Sequence, residues 1–133
     1  MPHTLKKLTP NLVVSDVERS LAFYCKVLGF TRTMTVPDAS PYVFAAVQSG
    51  GVEIFLNAQE SAVAEYPALG GKPIGGTLTL FIEVSDIKDC YESLNTQVKV
   101  VMPLEEKSYG VTEFAFVDPD GYIITYGEMP QKQ

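Results

Sequence analysis

Leu8, Leu12 and Val14 fall on alternate positions, and the period then changes to helical spacing through Val17, Leu21, Tyr24 and Leu28. The first pattern predicts a strand from Leu8 to Val14. The second predicts an amphipathic helix closed by Gly29, which accepts the left-handed backbone that ends many helices. Ser15 followed by Glu18 has capping-box form, so the helix is expected to open there. The same change of period returns seventy residues later. Thr77 to Val84 alternates, Asp86 or Ser85 caps, and Ile87, Tyr91 and Leu94 form the stripe of a shorter helix ending near Asn95. The switch points are near copies, Val14-Ser15-Asp16-Val17 and Val84-Ser85-Asp86-Ile87.

Each helix is followed by three further strand patterns. They are Thr31 to Val36, Tyr42 to Gln48 and Val52 to Asn57 in the first half, then Val98 to Met102, Thr112 to Val117 and Tyr122 to Glu128 in the second. Gly50-Gly51 and Asp118-Pro119-Asp120-Gly121 supply hairpin turns. Each half therefore reads β-α-β-β-β, and the expected fold is α+β: two such modules forming a cup-shaped mixed sheet within one domain. Module one runs over 5–57 and module two over 77–128. The segment 58–76 between them, rich in Gly and Pro, reads as a linker with at most a short helix at 61–65, or as a flap over a binding site.

Successive strand residues point to opposite faces. From Thr77 to Val84 one face is wholly aliphatic, Leu78, Leu80, Ile82 and Val84, and should meet the helices. The other carries Thr77, Thr79, Phe81 and Glu83. The first strand divides into Leu8, Leu12 and Val14 against Thr9, Asn11 and Val13, provided Pro10 keeps the register. From Val52 to Asn57 the split is Val52, Ile54 and Leu56 against Glu53, Phe55 and Asn57. A mixed second face that recurs with large aromatics points to a shared ligand cleft rather than an ordinary solvent side.

Composition narrows the function classes. The net charge is −6 with no basic stripe, which opposes nucleic-acid binding and favours a cationic or neutral ligand. No stretch approaches the roughly 20 apolar residues of a membrane span, and the basic N-terminus lacks the apolar run of a secretion signal. Cys25 and Cys90 both fall in predicted helices without metal-type spacing, so the expected compartment is the reducing cytoplasm. His3 is the only histidine, and it lies in the N-terminal tail, far from either thiol in the chain.

Val14-Ser-Asp-Val-Glu-Arg-Ser-Leu-Ala-Phe-Tyr24 with Val27-Leu-Gly-Phe30, and Phe114-Ala-Phe-Val-Asp-Pro-Asp-Gly-Tyr122, resemble the vicinal oxygen chelate superfamily. That group includes glyoxalase, bleomycin-resistance and extradiol dioxygenase proteins. The resemblance covers nearly the whole chain and implies paired β-α-β-β-β modules around a cavity. In its metal-dependent members, His, Gln and Glu from matching strands hold one divalent ion, and the resemblance carries those four positions to Thr9, Glu53, Thr79 and Thr125. Three hydroxyls and one carboxylate are poor ligands, so neither a metal nor another cofactor is expected. The pattern is most similar to metal-free bleomycin-resistance members, which sequester a bulky cationic glycopeptide without altering it. Thr9-Pro-Asn-Leu-Val-Val-Ser-Asp16 matches their first strand, including the proline that lets an N-terminal arm cross to a partner subunit. Tyr109-Gly110 resembles their aromatic-glycine pair, with tyrosine for the usual tryptophan and one more residue before Glu113.

Three readings follow. The first is a metal-independent binder, in antibiotic resistance or otherwise, with Phe55, Phe81 and Tyr109 offering aromatic faces, Glu53 and Glu83 charge, and Asn11 a hydrogen-bonding amide. The second is a lyase or isomerase using Glu53 or Glu83 as base, with Tyr109 or Tyr126 as proton donor. The third is an interaction module without a small ligand. A homodimer is expected under all three, with no nucleic-acid or membrane partner.

Overall fold

A computed structural model describes residues 3–130. The elements are β1 (Asn11–Val14), α1 (Val17–Ala22), β2 (Thr31–Val36), β3 (Phe44–Ser49), β4 (Val52–Ala58), α2 (Gln59–Glu65), β5 (Thr79–Glu83), α3 (Ile87–Leu94), β6 (Lys99–Glu106), β7 (Thr112–Val117) and β8 (Ile123–Glu128). A π-helical turn, Phe23–Val27, continues α1, and a short 3-10 turn, Pro67–Leu69, follows α2. The strands form two four-stranded sheets, ordered β1-β4-β3-β2 and β5-β8-β7-β6. In each the first and last strands of the module pair in parallel and the rest antiparallel, so the two halves repeat one topology. Among the described residues no helix is long and apolar enough to cross a membrane.

The apolar faces read from the sequence meet in one core. Leu12, Val14, Ile54 and Leu56 from the first sheet and Phe114, Phe116 and Ile124 from the second are essentially inaccessible, as are Val17 and Tyr24 of the first helical segment. Burial of each such side chain contributes about 1.5–3 kcal/mol before entropy is counted. Phe23 meets Phe116 across the seam between the modules with ring centroids 6.4 Å apart. Polar groups then lock that seam. Tyr24 Oη donates to Asp118 at 2.8 Å, and Tyr122 Oη donates to the Val13 carbonyl at 2.8 Å. Asp120 accepts from the Ser15 hydroxyl at 2.7 Å and from Arg19 at 3.3 Å. The Asp118-to-Gly121 turn is thus a clamp between modules, with Asp118 also accepting from the Asp120 and Tyr122 amides.

Four local expectations change. Asp16, not Ser15, caps α1 by accepting from the Arg19 amide at 3.0 Å, because Ser15 is engaged by Asp120. Glu18 does not reach back to complete a capping box; it accepts from the Ser40 hydroxyl and, at 3.1 Å, from the Tyr42 amide. Asp86 stands at the start of α3 in a left-handed conformation, φ 54°, without a side-chain cap bond, and Glu128 of β8 accepts from the Ile87 amide at 3.2 Å instead. Leu8 and Leu78 leave their aliphatic faces: the strands begin later than predicted, at Asn11 and Thr79, and both leucines are exposed, 86% and 49%.

Candidate functional site

The faces turned away from the core are built of rows of directly opposed residues. In the first sheet one row is Asn11, Phe55, Ala46 and Met34, and a neighbouring row contains Asn57 and Phe44. In the second sheet one row is Phe81, Thr125, Ala115 and Met102, and the next is Glu83, Gly127, Glu113 and Glu105. Strand alternation delivers these side chains because their neighbours, such as Ile54, Leu56, Phe114 and Phe116, are committed to the core.

A cleft of about 850 Å³ opens between Leu8, Thr9 and Pro10 with residues 51–54 on one side and β5 with Leu78 on the other. Of the expected site residues it brings together Glu53, Phe81 and Glu83 in one lining. Asn11 and Phe55 stand on the same sheet face as Glu53 but outside that lining, Phe55 packing on Phe44 at 5.1 Å between ring centroids. Tyr109 is also outside it, exposed at 64%, and donates to Glu113 at 3.1 Å.

Two residues emerge here that sequence reasoning missed. Glu113 is a buried carboxylate, 7% exposed, in the row between Gly127 and Glu105. Its alternation with Phe114 and Phe116 on β7 was the available signal, since it marks Glu113 as facing away from the core. Gly127 lies directly under the Phe81 ring: a Cβ there would stand 2.5 Å from Phe81 Cζ and 3.2 Å from Val111 Cγ1. Glycine therefore sets where the ring rests, and no one-dimensional pattern reports that approach.

Electrostatics separate binding from acid–base chemistry. Lys7 donates to Glu53 at 2.7 Å and holds its carboxyl below the usual carboxylate range, against a smaller opposing effect of burial, with the Thr9 hydroxyl at 3.3 Å adding a donor. A carboxylate stabilised in this way is a weakened base. Tyr126 packs in the core at 7% exposure, against Phe116 at 5.2 Å, and burial pushes its phenol up to about 12. It also lies outside the lining of the cleft. Tyr109 is shifted upward too, by burial first and then by the Glu113 carboxylate it faces. Both cysteine thiols are raised chiefly by burial, the opposite of an activated nucleophile.

The positions carried over as metal ligands do not form two matching pairs. Thr9 bonds Glu53, whereas strand pairing sets Thr79 opposite Ile123 and Thr125 opposite Phe81. By the same register the second-module counterpart of Glu53 is Ile123 and the first-module counterpart of Thr125 is Phe55, so the four positions are not related by a single offset. Three hydroxyls and a salt-bridged carboxylate do not fit a divalent ion. Among the described residues no cluster of three or more His, Cys, Asp or Glu side chains suits a metal.

Residues 1–126 match the family model described as Glyoxalase/Bleomycin resistance protein/Dioxygenase superfamily. A bleomycin resistance protein of Geobacillus stearothermophilus is 28% identical over 127 residues, covering 88% of this chain and 92% of that protein. Among solved structures, a glyoxalase/bleomycin resistance protein/dioxygenase from Nocardioides superposes with a TM-score of 0.79 at 24% identity, over 100% of this chain and 89% of that one. A protein of unknown function from Agrobacterium tumefaciens gives 0.76 at 24% identity, over 95% of both chains.

Proposed function

Because the chain belongs to the glyoxalase/bleomycin resistance/dioxygenase superfamily, we propose that it is a metal-independent binder that sequesters a bulky, cationic small molecule in the cleft beside β5. The observation that carries this reading is the lining itself. Glu83 stands two residues from the exposed ring of Phe81 on β5, among mostly apolar walls, and Glu53, paired with Lys7, lies in the same lining. A cation over an aromatic face gains about 0.5–2 kcal/mol, and the Glu83 carboxylate adds selectivity for positive charge. The volume suits a drug-sized ligand, for which sites span about 300–1,000 Å³.

The protein works as a homodimer in this reading. Leu5 of the N-terminal arm is 92% exposed, and β1 stands at the edge of its sheet. Apolar arms and open strand edges are the groups a second copy would cover. The compartment is the cytoplasm, where the free Cys25 and Cys90 would stay reduced.

The bleomycin-resistance relatives supply the first ligand to try. Calorimetric titration of metal-free bleomycin into metal-analysed protein is expected to show saturable binding near one ligand per subunit, weakened at least several-fold by Phe81→Ala. Absence of both heat and thermal stabilisation would discard that drug as ligand.

A further inference from the structure

A second chamber, of about 450 Å³, lies beyond Leu78 under the segment that joins the modules. Leu78 lines both spaces and so stands between them. The roof is not loose chain. Tyr66 N–H donates to the Ala62 carbonyl at 2.7 Å and Lys72 N–H to Leu69 at 3.1 Å, so the segment is a series of closed turns. Gly75, at φ +81°, then presses on the opposite turn so closely that a Cβ would stand 2.7 Å from the Asp120 carbonyl oxygen.

The lining has the reverse charge of the front cleft. Val13, Val63, Leu69 and Ile74 make it apolar, Lys72 is its sole charged group, and no carboxylate borders it. Among the described residues Lys72 enters no ion pair. In a chain of net charge −6, an apolar chamber marked only by an ammonium is a departure from the surroundings. Lys72 is exposed, so its charge stays at the mouth. An anion can meet it there without the desolvation cost of a buried pair, while an apolar body enters the chamber.

We propose that this chamber is a second ligand site, independent of the front cleft, that takes a small organic monoanion with an aliphatic body. The carboxylate pairs with Lys72 at the mouth, and the hydrocarbon lies against Val63, Leu69 and Ile74. The front cleft selects positive charge and the rear chamber negative charge, so the two ligands do not compete.

Octanoate, octanol and octylamine are suitable probes, followed by thermal shift and by amide chemical shifts. Octanoate is expected to bind saturably, octanol more weakly and octylamine weakest, with shifts centred on Val63, Leu69 and Ile74. Lys72→Met should weaken octanoate about tenfold, the scale of one charge-assisted contact, and leave octanol unchanged. Ile74→Trp, which fills the chamber, should remove both, and Glu53→Gln should alter neither. No saturable octanoate binding, equal binding of octylamine, indifference to Lys72→Met, or shifts confined to 79–83 would each overturn the proposal.

Discussion

The two modules share a frame and differ in what they mount on it. Asn11 opposes Phe55 in the first, and seventy residues on Phe81 opposes Thr125 in the second. Each module thus pairs one aromatic with one polar residue, but on exchanged strands. Asn57 of the first module is replaced by Gly127, and its partner Phe44 by Glu113. In module one the aromatics stack on each other, Phe44 on Phe55. In module two the ring of Phe81 rests on a glycine and remains half exposed beside acidic residues. Duplication repeats the backbone because helix and strand periodicity repeat; binding chemistry diverges because the outward positions are free of the core's packing constraint.

The largest way to test this asymmetry is in the core. Leu12 and its counterpart Ile82 face the same way, each on an edge strand, yet Leu12 is 1% exposed while Ile82 is only partly buried. Leu12→Ala is expected to cost about 2–5 kcal/mol in urea denaturation and Ile82→Ala clearly less, because a part-exposed site leaves a smaller cavity. Equal losses would mean that β5 is covered in solution.

Next comes the seam. Asp120→Ala removes acceptors for Ser15 and Arg19, with an expected loss of about 1–3 kcal/mol. Arg19→Ala should lose less, since its own pair with Asp120 is half exposed. Denaturation of both variants by the same method checks the ranking.

Gly127→Ala should separate stability from binding. The atom it strikes is the far end of the exposed Phe81 side chain, which can swing, so stability should fall by less than about 1 kcal/mol. Ligand affinity in the cleft should fall with it, because the ring is displaced. A variant that unfolds outright would show that Val111, not Phe81, sets the constraint.

The smallest effect is a pH response of the N-terminal arm. Glu53 is held below its usual range by Lys7, so the contact that anchors the N-terminal arm is present above that range and lost as pH falls through the depressed value. Amide shifts of Lys7 to Thr9 should titrate accordingly and become flat in Glu53→Gln. Ile123, the counterpart of Glu53, has no charge to lose, so the acid-range response near it, set by Asp118 through the Tyr122 amide, should be unchanged in Glu53→Gln.

Much of the fold was legible because it rests on periodicity: β2 and β7 have the bounds read from alternation, and Val17, Leu21 and Tyr24 are buried as their spacing implies. The caps were less legible, since Ser15 and Glu18 were claimed by Asp120, Ser40 and Tyr42, residues distant in sequence. Leu8 and Leu78 misled for a related reason. Alternation states which side a residue occupies only inside a paired strand, and both lie before their strands begin. Of the site, Glu53, Phe81 and Glu83 were found by face, whereas Glu113 and Gly127 depend on a cross-strand row and on a close ring-to-backbone approach.

The most direct measurement of the cleft's role is the amide chemical-shift map of the protein titrated with metal-free bleomycin. Perturbations are expected along Thr79 to Glu83 and Gly51 to Ile54, the two walls that carry Phe81 and the carboxylates. Saturating shifts confined to the linking segment 59–76, with both walls unmoved, would contradict it.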